Sequence, residues 1–293
     1  MVLDVFNTTN NAINRRKFLG LSAAGVGMGL TAMGLPVLAD GGGGKAVGIG
    51  VQLYTLRHLM EKNVRKTLGL VGAAGYSDVE LAGYYDHSPA ELRSILDGEG
   101  LSASSTHIFL DVLDKEFDSV LSDALVLGNQ YIVMPYLFEH QRTSIDDYKR
   151  LVEKMNCWAE ACQKVGIRIA YHNHAFEFIP LDGEVPYDII LQHSDREKVF
   201  LELDLYWATK AGQDPVKLFE DNPGRFPLWH VKDMTTDGRI ADVGDGVIDF
   251  QRIFSAAGQA GFERGFIEHD TTANPEATLR KGLSAAKNFV VGT

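Results

Sequence analysis

Residues 151–174 read LVEKMNCWAEACQKVGIRIAYHNH, and the chain changes here from a helical pattern to a β-strand pattern. Apolar residues recur every three or four positions from Leu151 to Cys162, which is the spacing of a helix with one buried face. Gly166 then supplies the left-handed conformation that closes many helices. The compact apolar run Ile167–Asn173 is typical of a buried strand. A helix followed at once by a buried strand is the unit from which α/β folds with parallel sheets are built.

The same alternation continues in both directions along the chain. Eight compact apolar runs are predicted strands: Gly48–Leu56, Asp78–Ala82, Ala103–Ile108, Tyr131–Tyr136, Ile167–Asn173, Val199–Leu205, Leu228–Lys232 and Gly265–His269. Eight strand–helix units in roughly 250 residues match a closed parallel barrel, whereas an open doubly wound sheet more often has fewer strands. The sequence therefore predicts an α/β fold, a (β/α)8 TIM barrel that forms a single domain over residues 47–293.

The N-terminus has the pattern of an export signal. The run NRRKFLG at residues 14–20 is followed by a small, apolar stretch at 21–35 and by the cleavage-site sequence PVLA at 36–39. This order is typical of a twin-arginine signal peptide. The apolar stretch, about 15 residues long, is shorter than the roughly 20 that span a bilayer. We predict a signal peptide at 1–39, a flexible Gly-rich leader at 40–46, and a periplasmic or otherwise exported mature protein without a stable membrane span.

Charge and cysteine content exclude several classes of protein. The chain has 28 Lys plus Arg against 39 Asp plus Glu, a net charge of −11. Nucleic acids and anionic membranes are bound through clustered basic residues, so neither is expected as a partner. Cys157 and Cys162 are five residues apart, on opposite sides of a helix, and both are interpreted as buried apolar residues. The sequence leaves open whether the chain forms a homo-oligomer.

Side chains that bind metals or transfer protons stand at the ends of the predicted strands. These residues are Glu80, His107, His172-Asn173-His174, Asp204, His230 and Glu268-His269. In a TIM barrel the carboxyl ends of all strands meet at one face, where active sites lie. Successive members of the set His172, Asp204, His230 and Glu268 are about one βα unit apart. Four neighbouring strands would each contribute one ligand to the same mouth, as a mononuclear metal site requires.

Each of these residues also has a purely structural interpretation. A strand-end histidine often hydrogen-bonds a loop carbonyl, and Asp204 could cap the helix that follows it. The choice between His172 and His174 as the ligand from the fifth strand stays open. Glu202 lies two residues before Asp204 on the same strand face, so it is expected deeper in the barrel or in support of the ligands.

Seven short motifs together resemble one known family. They are GIGVQLYTLR at 48–57, YSDVELA at 76–82, YHNHAFEF at 171–178, LD at 203–204, WHVKD at 229–233, GDGVIDF at 244–250 and GFIE at 265–268. The chain is similar to the xylose isomerase-like barrels, specifically the sugar phosphate isomerase/epimerase group that includes ketose epimerases and inosose dehydratases. The motifs span nearly the whole chain after residue 47.

The resemblance implies one divalent metal. In this family the metal is held by one residue from each of the last four strands: a carboxylate or its replacement, then an Asp, a His and a Glu. These positions match His172, Asp204, His230 and Glu268. Many epimerases of the family have Glu at the fifth-strand position and use it with the eighth-strand Glu as paired acid and base. His172 replaces that Glu, and two nitrogen ligands favour Mn, Co, Zn or Fe over Mg. Elimination next to a ketone, which needs one strong base, is then better supported than two-base epimerisation.

The expected catalytic residues are Glu268, Lys232 and His174. Glu268 would remove the proton next to a carbonyl to give an enediolate, while Lys232 would stabilise the oxyanion or protonate the departing group. His174 or Lys232 would supply the second proton-transfer group. The residues expected to orient substrate hydroxyls are Tyr54, Glu80 and His107. The aromatic side chains with either a sugar-facing or a packing role are Tyr206, Trp207, Phe176 and Phe178.

The predicted export restricts the substrate, because sugar phosphates are cytoplasmic metabolites and the sequence has no Gly-rich phosphate loop of the Walker type. We expect a metal-dependent sugar isomerase or epimerase that acts on an unphosphorylated keto-sugar or an oxidised glycoside. The first alternative is a 3-keto-glycoside 1,2-lyase, which eliminates the aglycone. The alternative from another class is a non-catalytic carbohydrate-binding barrel.

Overall fold

The computed structural model describes residues 48–290, so the predicted signal peptide and leader lie outside the described residues. The barrel strands are β1 (Ile49–Gln52), β2 (Asp78–Leu81), β3 (Ser102–His107), β4 (Tyr131–Met134), β5 (Arg168–His172), β6 (Val199–Asp204), β7 (Leu228–Val231) and β10 (Arg264–Ile267). All neighbours pair in parallel, and the sheet closes in the order β1-β10-β7-β6-β5-β4-β3-β2. The predicted (β/α)8 barrel is confirmed.

Helices separate every pair of consecutive barrel strands. They are α1 (Arg57–Met60), α2 (Val64–Ala73), α3 (Pro89–Gly98), α4 (Leu110–Leu127), α5 (Ile145–Lys164), α6 (Pro186–His193), α7 (Leu205–Lys210), α8 (Pro215–Asp221), α9 (Phe250–Ser255), α10 (Ala257–Ala260) and α11 (Pro275–Phe289). Short 3₁₀ helices cover Leu53–Leu56, Glu139–Gln141 and Phe176–Phe178, and two short strands, β8 (Asp233–Met234) and β9 (Ile240–Ala241), pair antiparallel after β7. Within residues 48–290, no helix has the length and apolar composition needed to cross a membrane.

The α5–β5 unit follows the predicted pattern with one exception. Its apolar face is buried along the helix, and Gly166 has a φ of 77°, which lets the chain reverse into β5. Cys162 is buried, as expected, but Cys157 is exposed. The prediction for Cys157 was wrong because the residue lies on the solvent side of α5, opposite the buried stripe.

Some strands end earlier than predicted, and local chemistry explains where. The first predicted strand, Gly48–Leu56, stops at Gln52, because the Gln52 side-chain oxygen accepts the N–H of Tyr54 and starts a 3₁₀ turn. The fourth stops at Met134, because Pro135 has no N–H to donate to the sheet. In both cases the residues that follow the strand are directed into the loops above the barrel.

The barrel interior is layered from apolar to polar along its axis. Tyr131, Val133, Ala170, Leu228 and Phe266 form a separate buried apolar cluster. Because side chains alternate across a strand, the residues two and four positions later share the interior face. On β7 this places His230 and Lys232 in succession above Leu228, and all three are buried. The apolar layer therefore forms the floor of a polar site at the carboxyl ends of the strands.

Candidate metal centre and active site

Four ligand-type side chains converge at the carboxyl ends of β5, β6, β7 and β10. One ligand atom from each of His172, Asp204, His230 and Glu268 can be chosen so that all lie within 4.8 Å of one another, and all four residues are buried. His172 Nε2 is 3.3 Å from Asp204 Oδ2, and His230 Nδ1 is 2.8 Å from Glu268 Oε2. We call these four residues the outer cluster.

Hydrogen bonds to the loops fix the orientation of His172 and Asp204. His172 Nδ1 lies 3.0 Å from the carbonyl oxygen of Pro135, so it donates there and leaves Nε2 as the free nitrogen that faces Asp204. Asp204 Oδ1 accepts the N–H of Trp207 at 2.8 Å and caps α7, while Oδ2 faces the cluster. Asp204 can therefore cap α7 and belong to the outer cluster at the same time, since the two roles use different carboxylate oxygens.

A second group of polar residues lies beneath the outer cluster and shares His230 with it. Glu80, His107, Glu202 and His230 also bring ligand atoms within 4.8 Å of one another, and we call them the inner cluster. His230 Nε2 is 2.7 Å from Glu80 Oε2 and 3.2 Å from Glu202 Oε2. A histidine whose one nitrogen donates to a carboxylate has the other nitrogen available for a metal. The inner cluster therefore directs Nδ1 of His230 towards the outer cluster.

Protein partners already occupy the carboxylate of Glu80. Ser105 Oγ donates to its Oε1 at 2.6 Å, and Gln52 Nε2 donates to its Oε2 at 2.7 Å. Glu80 is fully buried. Both oxygens of Glu80 thus have protein partners and its carboxylate contacts His230, while the predicted role of Glu80 in orienting substrate hydroxyls stays a prediction. Gln52, which the sequence reasoning missed, is in the motif GIGVQLYTLR.

His107 is part of the inner cluster and only its edge reaches solvent. Its Nε2 lies 3.1 Å from Glu80 Oε2 and 3.0 Å from Glu202 Oε2. Burial alone would lower the pKa of His107, but Glu80 and Glu202 outweigh burial and raise it to about 9. Burial would raise the pKa of Glu80, and His107 with His230 holds it well below its usual range. His107 and Glu80 thus form a buried ion pair, and Glu202 lies deep in the barrel as expected.

Lys232 joins the outer cluster to the rim of the barrel. Its ammonium lies 2.7 Å from Glu268 Oε2, 3.1 Å from Asp204 Oδ2 and 2.9 Å from Asp270 Oδ1. Burial would lower the pKa of Lys232, but Asp204, Asp270 and Glu268 hold it well above its ordinary value. Asp270 was missed in the sequence, because it lies in the loop after β10 and not in the strand.

Tyr54 lies on the same side of the mouth. Burial raises the pKa of its hydroxyl, and the charges of Arg57, Asp270, Glu268 and Lys232 all act on it. Arg57 stacks over the Tyr54 ring at 4.2 Å and donates to the carbonyl oxygens of Tyr54 and Asp270. Arg57 thus ties the loop after β1 to the loop after β10.

His174 lies beside the outer cluster and is not a member of it. Its ring centroid is 5.0 Å from that of His172 and 5.3 Å from that of Trp207. Burial, His172 and Lys232 lower the pKa of His174 well below its ordinary value, so its imidazole is neutral. The Nδ1 atom of His174 makes no hydrogen bond with any of residues 48–290. The structure thus assigns His172 to the cluster and His174 to its rim.

The four aromatic residues divide between the two roles left open. Phe176 stacks on His174 at 5.6 Å, and Trp207 lies 5.8 Å from the Lys232 ammonium, so both border the mouth. Phe178 instead packs on Tyr187 at 4.4 Å. Tyr206 is buried, and its hydroxyl donates to Gly238 O and contacts Lys210 Nζ. Phe178 and Tyr206 therefore have packing roles.

The polar atoms of the outer cluster fit a bound cation. Neither His230 Nδ1 nor Glu268 Oε2 makes a hydrogen bond of acceptable geometry with the described part of the chain, although both are buried. Five buried or nearly buried carboxyl groups (Glu80, Glu202, Asp204, Glu268 and Asp270) surround one lysine and three histidines. These atoms have charged neighbours but lack hydrogen bonds, which is costly for buried polar atoms, and a divalent cation among two nitrogens and two oxygens would satisfy their lone pairs.

Comparisons with known proteins agree with this architecture. A family model, the xylose isomerase-like TIM barrel, matches residues 68–289. An inosose dehydratase of Lacticaseibacillus casei is 24% identical over 261 aligned positions, which cover 74% of this chain and 87% of the relative. A sugar phosphate isomerase/epimerase of Parabacteroides distasonis has a TM-score of 0.71 at 28% identity, covering 87% of this chain and 100% of its own. The IOLI protein, solved with a bound zinc atom, has a TM-score of 0.66 at 19% identity, covering 84% of this chain and 97% of its own.

Proposed function

The chain belongs to the xylose isomerase-like TIM barrel family, and we propose that it is a divalent-metal-dependent enzyme of carbohydrate chemistry. Its reaction would begin with removal of the proton next to the carbonyl of an unphosphorylated keto-sugar or oxidised glycoside. The observation that carries this proposal is the buried outer cluster with the Lys232 ammonium in contact with it. The relatives support the same class, since they include inosose dehydratases and a sugar phosphate isomerase/epimerase.

We propose that His172, Asp204, His230 and Glu268 hold one divalent metal. Two imidazole nitrogens and two carboxylate oxygens favour Zn, Mn, Co or Fe over Mg. The bound zinc of the IOLI protein, which has the same fold, supports this choice of metals. When bound, the metal would polarise the carbonyl and a neighbouring hydroxyl of the sugar and so acidify the adjacent C–H.

Glu268 and Lys232 would carry the proton transfers. Burial raises the pKa of the Glu268 carboxyl, but Lys232 and His230 outweigh burial and hold it well below its usual range, so the group is a carboxylate that can accept a proton. As the C–H bond breaks, its electron pair forms the double bond of an enediolate. The Lys232 ammonium, 2.7 Å from Glu268 Oε2, would donate a hydrogen bond to the oxygen that becomes negative.

Elimination fits this set of groups best, because it needs one base and one acid. The enediolate electrons form a new double bond as the C–O bond at the β carbon breaks, and the departing oxygen takes a proton from Lys232. Glu268 then returns the abstracted proton to Lys232, which restores both groups. With an oxidised glycoside, the products are the free aglycone and an unsaturated keto-sugar, as for a 3-keto-glycoside 1,2-lyase.

Isomerisation or epimerisation is the second candidate, and His174 is the residue that favours it. Epimerisation needs a second proton-transfer group on the other face of the sugar. The neutral imidazole of His174 has an Nδ1 without a hydrogen bond in residues 48–290 and lies next to His172. It could therefore accept the α proton on that face as a base, and a proton that Glu268 has taken up from solvent would then be delivered to the carbon on the other face.

The test uses metal-loaded protein in deuterated water with a 3-keto-glucoside and, separately, a free ketose. Release of the aglycone supports elimination, and a converted ketose with deuterium at the α carbon supports isomerisation or epimerisation. For either reaction we expect Lys232→Met to lower kcat at least ~100-fold. Glu263→Gln is the matched control, because Glu263 lies at the opposite end of β10, paired with Arg168. If neither substrate exchanges or reacts, the enzyme proposal is contradicted and a carbohydrate-binding barrel is favoured.

We also propose that the chain is exported by the twin-arginine route, and the sequence of residues 14–39 supports this. Changing Arg15 and Arg16 together to Lys should keep the protein inside the cell and leave residues 1–39 uncleaved. Fractionation and mass spectrometry of the N-terminus measure both effects. Unchanged processing of the double variant would contradict export by this route.

A further inference from the structure

The mouth of the barrel has two unlike sides. Charged groups line the side above β7 and β10, where Lys232, Glu268 and Asp270 lie. The loops after β3, β4, β5 and β6 form the other side, which is aromatic. Its rings, each partly exposed, are Phe109, Tyr136, Phe138, His174, Phe176 and Trp207. We call these six residues the aromatic strip.

The aromatic strip begins at the outer cluster and leads away from it. His172 contacts His174 with ring centroids 5.0 Å apart, and His174 contacts Tyr136 at the same distance. Tyr136 contacts Phe138 at 5.4 Å, and Phe138 stacks on Phe109 at 5.5 Å. Successive ring contacts of this kind form a continuous surface. Five rings thus follow one another from His172 to Phe109, with successive centroids 5.0–5.5 Å apart.

The strip also carries polar groups suited to hydroxyls. His174 Nδ1 and Trp207 Nε1 are buried and make no hydrogen bond within residues 48–290. The Arg142 guanidinium lies 3.7 Å over the Phe176 ring. A sugar ring has an apolar C–H face and a rim of hydroxyls, so it pairs with an aromatic face that has donors and acceptors at its edge. A purely apolar ligand would leave both nitrogens without partners.

We propose that the aromatic strip is a binding subsite for a second sugar ring, joined by a glycosidic bond to the keto-sugar at Glu268 and Lys232. The substrate class is then a keto-disaccharide, and a keto-monosaccharide fills only half of the site. This inference rests on the proposed function for the position of the first ring. The leaving group of the elimination would be the sugar that lies on the strip.

The first experiment compares kcat/KM for a 3-keto-disaccharide and for 3-keto-glucose. We expect wild type to prefer the two-ring substrate at least ~10-fold, and Phe138→Leu to lower that ratio roughly fivefold, since it removes one stacking face at similar volume. Phe178→Leu is the matched control, because Phe178 packs on Tyr187 and against the hydrophobic core. Phe109→Leu replaces Phe138→Leu if the latter does not fold. No preference in wild type, or equal loss in the Phe138 and Phe178 variants, would overturn the subsite.

The second experiment measures binding without turnover. Calorimetric titration with cellobiose and with glucose should give tighter binding of cellobiose, weakened roughly fivefold by Phe138→Leu and unchanged by Phe178→Leu. If no substrate is converted but this pattern holds, the proposed function fails and the subsite stands. If cellobiose binds no better than glucose, or binds equally well after Phe138→Leu, the subsite is wrong, whatever the enzyme does.

Discussion

His230 shows how a single residue links the two clusters. Its Nε2 lies between Glu80 and Glu202, and its Nδ1 lies 2.8 Å from Glu268. Because carboxylates below attract the N–H, the nitrogen that faces the outer cluster is the one with a free lone pair. The proposed role of His230 as a metal ligand thus depends on the neighbouring carboxylates as well as on the imidazole itself.

This arrangement predicts that Glu80→Gln weakens metal binding without removing a ligand. A Gln side chain replaces one acceptor oxygen by a donor, so it cannot accept from Ser105, Gln52 and His230 together. We expect roughly 10- to 100-fold lower metal affinity, measured by competition with a chelating dye. Glu263→Gln should bind as wild type does. Equal affinity in the Glu80 and Glu263 variants would show that Glu80 does not orient His230.

At the scale of single residues, the spacing of the strand ends in the sequence predicted the four members of the outer cluster but not the residues that support them. His172, Asp204, His230 and Glu268 could be chosen because each ends a strand. Asp270 and Gln52 could not, because their partners are 38 and 28 residues away in sequence and the contacts depend on loop paths. The sequence could not decide between His172 and His174, because both lie on the same strand face. The register of the strand in the sheet determines which of the two reaches the outer cluster.

At the scale of elements, one aspartate explains why two motifs occur together. Asp233, at the end of WHVKD, is buried and accepts the N–H groups of Gly244, Gly246 and Ile248 from the motif GDGVIDF. It also accepts the N–H of Met234. The side chain thus holds the loop between β7 and α9 against the barrel, next to the strand that carries His230 and Lys232.

Asp233→Ala should therefore destabilise the protein strongly. Four backbone N–H groups would lose their acceptor, and we expect a loss of about 3 kcal/mol in the free energy of unfolding. Asp237→Ala, in the exposed turn of the same loop, should leave the free energy of unfolding close to that of wild type. Urea denaturation measures both. Similar values for the two variants would contradict the role given to Asp233.

The 3₁₀ turn after β5 holds a buried acid that makes stability depend on pH. Glu177 is fully buried, accepts Tyr171 Oη–H at 2.7 Å and the N–H of His174 at 2.8 Å, and burial raises its pKa from 4.5 to about 7. The folded protein keeps this proton to higher pH than the unfolded chain does. The free energy of unfolding should therefore fall as pH rises from about 4.5 to about 7.

Glu177→Gln removes this titration. Between pH 4.5 and 8, wild type should lose up to about 3 kcal/mol more stability than the variant, because each pKa unit corresponds to about 1.4 kcal/mol. Urea denaturation at the two pH values measures the difference. Parallel pH profiles for wild type and Glu177→Gln would show that Glu177 titrates alike in the folded and unfolded states.

At the scale of the whole molecule, the barrel was predictable because its signal is local and repeated. Most βα units show a helical spacing and an apolar strand within about 30 residues, and several have a glycine between the two. The polar layers inside the barrel depend on contacts between distant parts of the sequence, since His230 and Glu80, which are in contact, are 150 residues apart. The inner cluster could therefore not be assembled from the sequence, although Glu202 was correctly expected to lie deep.

The whole barrel should be more stable with its metal than without it. The outer cluster draws on four adjacent strands, so a bound cation would oppose their separation. With free metal at about 100 times Kd, the gain is about 2.7 kcal/mol, and a chelator should lower Tm by roughly 5–10 °C. Asp204→Asn should show little of this shift. A chelator that lowers the Tm of both proteins equally would point to an effect outside the outer cluster.

The most direct test of the central claim is the metal content of the folded protein. Elemental analysis of wild type, after loading with zinc and removal of free ions, should give one ion per chain, and His172→Ala and Asp204→Ala should each lose most of it. Wild type without bound metal would contradict a metal centre at the carboxyl ends of β5, β6, β7 and β10. Two ions per chain would contradict the purely supporting role given to the inner cluster.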